Sequence, residues 1–165
     1  MNFRMEIEVP AHRDAIWPIF FDVARIAALI PGCEQVEEKV PLVLYSAVMK
    51  QKIGPFKMDA ATEVSVEART PPSHVRARAR GRDRVTGTTL DVLLDVALAA
   101  TEGDGTRLVV DSTLVVAGRL ATLGYPVVKK KSEQMFVEFE RRLRTELGLV
   151  HSSTPEAISD APGAL

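Results

Sequence analysis

From Cys33 to Gly118 apolar and polar residues alternate with a period of two, interrupted only by short clusters of turn formers. Alternation of that kind sends successive side chains to opposite faces, so each run predicts a strand with one buried and one wet face. The runs are 33–40, 43–53, 56–68, 74–85, 88–100 and 106–117. Gly54-Pro55, Thr70-Pro71-Pro72-Ser73, Thr86-Gly87 and Glu102-Gly103-Asp104-Gly105 separate them. A repeat of about 12 to 16 residues per strand and turn fits consecutive antiparallel hairpins. Six such strands expose one continuous apolar face, and that face needs a second layer.

The chain has one segment able to supply it, Arg119 to Leu147. Met135, Phe136, Phe139, Leu143 and Leu147 draw one apolar stripe along a helix, while Glu133, Glu138, Glu140, Arg141, Arg144 and Glu146 lie largely off it. Ahead of the strand run, Phe3, Met5, Ile7 and Val9 alternate with charged residues and predict a further strand ending at Pro10. Asp14 and Asp22 are expected to cap two short helices, AIWPIFF and VARIAALI, the second stopped by Pro31-Gly32. The expected fold class is α+β: a seven-stranded curved antiparallel sheet around a long C-terminal helix, with two short helices after strand 1. Residues 1–149 are expected to form one domain. Residues 150–165, polar and Pro-containing, are expected to be a disordered tail.

The inward positions hold few large side chains. Ala47, Ala60, Thr62, Ala77 and Ala79 are small, and the hairpin register sets Ala47 opposite Thr62 and Met49 opposite Ala60. A close approach of the helix would fill the resulting volume; a bound apolar molecule would fill it equally. The candidate lining is Tyr45, Ala47, Met49, Phe56, Met58, Ala60, Thr62, Ala77, Ala79, Leu94, Leu120, Leu123 and Val127. Met side chains adapt to varied apolar shapes. Inward polar groups are few: Tyr45, Thr62, Asp83 and Ser112.

Arg76, Arg78, Arg80, Arg82 and Arg84 share the outer face of one strand. Hairpin arithmetic sets Glu67, Glu63 and Asp59 opposite Arg76, Arg80 and Arg84, and Asp95 and Asp91 opposite Arg78 and Arg82. The stripe is therefore expected to be neutralised within the sheet rather than to bind phosphate, and a net charge of −1 gives no global field toward nucleic acid. His12, His74 and His151 are scattered and have no partner at metal-ligand spacing. Cys33, the single cysteine, excludes an internal disulfide and reads as an inert thiol. The chain contains no GxSxG, P-loop or GxGxxG, and neither a signal peptide nor a membrane span. A cytoplasmic location is the expectation. Lys129, Lys130 and Lys131, at the start of the long helix, read either as a solvated first turn or as a docking patch for anionic lipid or an acidic partner.

Three motifs resemble a known family. Leu29-Ile30-Pro31-Gly32-Cys33-Glu34, Lys52-Ile53-Gly54-Pro55 and Gly118-Arg119-Leu120-Ala121-Thr122-Leu123-Gly124 are similar, in order and spacing, to signatures of the CoxG family of carbon monoxide dehydrogenase. That family lies within the START-like (SRPBCC) superfamily, which has the helix-grip, START/Bet v 1-like fold. The resemblance covers about residues 3 to 149. It implies a hydrophobic cavity between sheet and helix. It also implies a role beside a molybdenum-containing hydroxylase of the carbon monoxide dehydrogenase type, in membrane recruitment, electron-acceptor delivery or assembly. A non-catalytic carrier of a quinone or lipid, peripheral at the inner face of the membrane, is the leading expectation. A cyclase or dehydratase of the same superfamily, or an assembly factor with a filled core, are the alternatives.

Overall fold

The computed structural model describes residues 1–149. Its elements run β1 (Asn2–Val9), α1 (Arg13–Ile16), a 3-10 turn (Trp17–Phe21), α2 (Val23–Leu29), β2 (Cys33–Val40), β3 (Leu44–Ile53), β4 (Phe56–Thr70), β5 (His74–Asp83), β6 (Thr88–Ala100), β7 (Thr106–Ala117), a second 3-10 turn (Arg119–Leu123) and α3 (Tyr125–Glu146). All seven strands join one antiparallel sheet in the order β1-β7-β6-β5-β4-β3-β2. The six later strands form the expected meander, and β1 closes its far side by pairing with β7. The expected tail, 150–165, lies outside the described residues. Among the described residues no helix is long and apolar enough to cross a membrane.

Local chemistry accounts for the joints. Asp22 caps α2 by accepting from the Arg25 N–H at 3.3 Å, as its position suggests. Asp14 is not the cap of α1. His12 is, its Nδ1 accepting from the Asp14 N–H at 3.1 Å, which leaves Asp14 in the first turn where its charge suits the helix dipole. The segment expected as one helix from Arg119 is split: Gly124, at φ +87°, separates the 3-10 turn from α3. Gly118, also at φ +87°, turns the chain out of β7 so closely past the β5–β6 turn that a Cβ would stand 2.0 Å from the Gly87 carbonyl oxygen.

The core divides in two. The larger cluster joins Ile7, Val9, Leu98, Leu108 and Val110 of the sheet to Ile16, Ile19 and Leu29 of the short helices and Leu143 of α3. The smaller joins Ile53, Met58 and Ala60 to Leu120, with Met49, Leu90, Val116 and Leu123 against them, at the opposite end of the sheet. Polar bonds fasten the C-terminal half of α3 over the larger cluster. Arg25 meets Glu146 at 2.5 Å, Arg144 donates to the Glu8 carbonyl at 2.9 Å and Arg142 to the Ala28 carbonyl at 3.4 Å.

The arginine strand departs from the expected pairing. Glu63 faces Arg80 as expected, but a bulge between Val66 and Ala68 sets Ala68 opposite Arg76. The β5–β6 register lies two residues from the expected one. Asp95 faces Arg76 and Asp91 faces Arg80, while Arg78 reaches Asp91 diagonally at 2.8 and 2.9 Å. Arg82 faces Ala61 and Thr89, and Arg84 lies past the end of β5. Neither has its expected carboxylate. The cause is the longer β5–β6 turn: it begins at Asp83, whose carboxylate accepts from the Val85 and Thr86 N–H groups and reshapes the corner.

Candidate functional site: the trough between sheet and helix

The register defines rows of side chains across the concave face. One central row is Tyr45, Val64, Ala79, Val92 and Leu114; its neighbours are Ala47, Thr62, Gly81, Leu90 and Val116 on one side and Val66, Ala77, Leu94, Ser112 and Phe3 on the other. Three alanines and a glycine therefore lie together in the middle of the sheet. At Gly81 even a Cβ would come 2.9 Å from the Thr62 hydroxyl. Both ends of the face are sealed: Ala60 is 1 % exposed in one cluster and Leu98 2 % in the other. Between them Ala47, Thr62, Val64, Ala77, Ala79, Val92 and Leu94 are only half-buried. Close packing at both ends with partly exposed small residues between them outlines a candidate trough on the concave face, in which Tyr45, Gly81 and Ser112 are themselves buried. A cleft of about 230 Å³ between β1 and α3, lined by Phe3, Met5, Tyr125, Lys129, Glu133 and Phe136, opens beside it.

The thirteen expected lining residues divide by position. Tyr45, Ala47, Thr62, Ala77, Ala79 and Leu94 lie along the trough. Met49, Met58, Ala60, Leu120 and Leu123 form the packed cluster at its end. Phe56 is half-buried with the Arg119 guanidinium 5.4 Å above its ring. Val127 is turned outward, 38 % exposed, and Val128, 5 % exposed, takes the inward place. Val64, Val92 and Leu114 belong to the same wall; strand alternation marks them as inward, but only the cross-strand register places them beside the alanines.

Most inward polar groups are held by the protein itself. The Tyr45 hydroxyl donates to Glu38 Oε2 at 3.1 Å, and burial together with that carboxylate pushes its pKa up to about 12. Thr62 Oγ1 donates to the Ala60 carbonyl at 3.0 Å. Asp83, 2 % exposed, accepts from the Asp59 N–H at 3.0 Å and the Val85 N–H at 2.9 Å, and these bonds hold its carboxyl below the usual range. Ser112 differs. Its hydroxyl faces Leu94 and Phe3 with no hydrogen-bond partner among the described residues, yet it is not sealed from solvent. Cys33 lies outside the trough at the start of β2, and burial raises its thiol pKa, as an inert thiol requires.

The same architecture recurs in solved structures. A conserved protein from Geobacillus kaustophilus superposes with a TM-score of 0.82 at 18% identity, over 90% of this chain and 95% of that one. The Zhui aromatase/cyclase from Streptomyces gives 0.66 at 14%, over 88% and 92%. An HSP90 activator from Plasmodium falciparum gives 0.62 at 12%, over 90% and 96%. Identities this low establish the helix-grip fold and no activity. No curated protein matches the chain. The family model of the carbon monoxide dehydrogenase G subunit (CoxG) matches residues 6–148, a span that includes all three sequence motifs and every strand from Glu6 onward. The chain belongs to the CoxG family of carbon monoxide dehydrogenase.

Proposed function

We propose that the trough binds one apolar small molecule, a quinone or a lipid, and that the protein is a non-catalytic carrier working beside a molybdenum hydroxylase of the carbon monoxide dehydrogenase type. The observation that supports the reading is the burial gradient: the concave face is closely packed at both ends, while Ala47, Val64, Ala77, Ala79 and Val92 between them stay partly exposed. A lipophile seated there removes Val64, Val92, Leu94 and the three alanines from water, at about 25 cal/mol per Å² before ordering costs. Ser112 offers the guest one hydrogen bond, enough to orient a carbonyl or hydroxyl without requiring a charge. Delivery of an electron acceptor, rather than chemistry on it, fits inward polar groups that are already engaged with the protein.

Displacement of the apolar fluorophore N-phenyl-1-naphthylamine by decylubiquinone tests the reading. A single saturable site, emptied by the quinone and weakened at least about tenfold by Ala79→Leu with Ala77→Leu, is expected. No saturable uptake of the fluorophore, or uptake indifferent to those substitutions, contradicts it.

A further inference from the structure

We propose that the β2–β3 turn, Val40-Pro41-Leu42-Val43, is a docking knob for a partner protein that offers an apolar pocket edged with basic side chains. The place of contact rests on this turn alone. The identity of the partner, the molybdenum hydroxylase, rests on the function proposed above.

The first observation is what the turn shows to water. Val40 (46 %), Leu42 (38 %) and Val43 (47 %) are exposed, and so is Pro41 among them. A run of four exposed apolar positions adds little to a core and marks a surface that something else covers. Val85, Val115 and Val137 are more exposed still, but they stand singly on separate elements, as ordinary surface residues do.

The second observation is the backbone. Leu42 lies at φ +62°, in the left-handed region that crowds a branched side chain and suits glycine. Bonds on every side keep it there. The Leu42 N–H donates to Glu38 Oε2 at 3.0 Å, and Arg69 Nη1 donates to the Leu42 carbonyl at 3.2 Å. The Val43 N–H donates to the Val40 carbonyl at 2.9 Å, and the Val66 N–H donates to the Val43 carbonyl at 2.8 Å. The Arg69 guanidinium in turn lies 5.7 Å from the centre of the Phe21 ring. A strained residue is thus held rigid with its apolar side chain reaching water. Strain maintained in this way is a mark of recognition elements, and a knob already in its bound shape loses little freedom on docking.

The third observation concerns the occupant. β2 leads into the turn with Glu34, Glu37 and Glu38 exposed against Lys39. Lys50 and Lys39 pair with Glu34 and Glu37, and Glu38 has no ion-pair partner among the described residues. This acidic rim suits basic side chains on the partner and repels an anionic bilayer, and a second copy would bring the same acids together. The turn is also bonded to the trough wall, because the Glu38 Oε2 that holds Leu42 accepts from the Tyr45 hydroxyl at 3.1 Å. An enzyme that takes the guest from the trough has to meet the carrier beside it.

Biolayer interferometry against the immobilised, purified molybdenum hydroxylase of the same organism tests this. The unaltered chain should bind, and Leu42→Gly should weaken binding about tenfold or more. Glycine suits φ +62°, which offsets the lost contacts of a partly exposed side chain, so Tm should move by no more than about 2 to 4 °C. Val40→Ser with Val43→Ser should weaken binding by as much. Val115→Ser with Val137→Ser, the same chemical change on other faces, should leave it within about twofold. Binding indifferent to Leu42→Gly, or equal weakening by the two serine pairs, overturns the knob and leaves the carrier reading standing. No binding by the unaltered chain overturns the hydroxylase as partner both here and in the function proposed above. Self-association abolished by Leu42→Gly overturns the proposal in favour of a second copy.

Discussion

Replacing Ala79 by leucine probes the trough through stability rather than through a ligand. Ala79 sits in the central row between Val64 and Val92, all three half-buried. Leucine adds three carbons, worth up to about 2.4 kcal/mol at about 0.8 kcal/mol per buried CH₂. A partly exposed wall should return only part of that, a gain of about 1 kcal/mol, provided that there is room for the added carbons. In a filled core the same substitution would force neighbours off their rotamers and cost about 1 to 3 kcal/mol. The two descriptions therefore differ in sign. Urea unfolding followed by Trp17 fluorescence and far-ultraviolet circular dichroism reads the difference, and a gain of about 1 kcal/mol should raise Tm by about 2 to 4 °C for a chain of this size. Ala60→Leu is the internal control: at 1 % exposed it should destabilise by about 1 to 3 kcal/mol. Destabilisation by Ala79→Leu as large as that by Ala60→Leu would refute the description of the face as open.

Other consequences follow from single residues. Asp83→Ala leaves the Asp59, Val85 and Thr86 N–H groups without their acceptor and should cost about 2 to 4 kcal/mol in urea unfolding, whereas a loss under about 0.5 kcal/mol would remove its structural role. Gly118→Ala must abandon φ +87° and clear the Gly87 carbonyl; a drop in Tm of several degrees is expected, and an unchanged Tm would contradict the close approach. Glu138, bound by Arg141 and Arg142, has its pKa lowered from 4.5 to about 2. A depressed folded-state pKa stabilises above the unfolded value and loses that contribution as pH falls, so stability should decline between pH 4.5 and about 2, and Glu138→Gln should flatten the decline. An identical pH profile for the variant would exclude Glu138 from the acid response.

Seven strands, their order and the closing helix are legible in the sequence because each signal is local: alternation within a strand, a Gly or Pro turn, a 3.6-residue stripe. What escapes is what depends on turn geometry. The Asp83 side chain reshapes the β5–β6 corner: β6 lies two residues from the expected register, which separates Arg82 from Asp91, and β5 ends at Asp83, which leaves Arg84 outside the strand that would face Asp59. Gly124 is visible as a residue, but its φ of +87°, which separates the 3-10 turn from α3, is not, and neither is the burial of Val128 in place of Val127. His12 competes with Asp14 for the cap through a hydrogen bond that no spacing rule distinguishes. The trough is half legible. Ala47, Ala77 and Ala79 announce a shortage of bulk, but the separation of the core into two clusters on either side of them is visible only in the structure.

Native mass spectrometry of the protein taken directly from cells tests the carrier reading most directly. One lipophilic molecule per chain, released by organic solvent and absent from the Ala77→Leu, Ala79→Leu variant, is the predicted result. A bare polypeptide mass that takes up neither decylubiquinone nor phospholipid when either is added would contradict it.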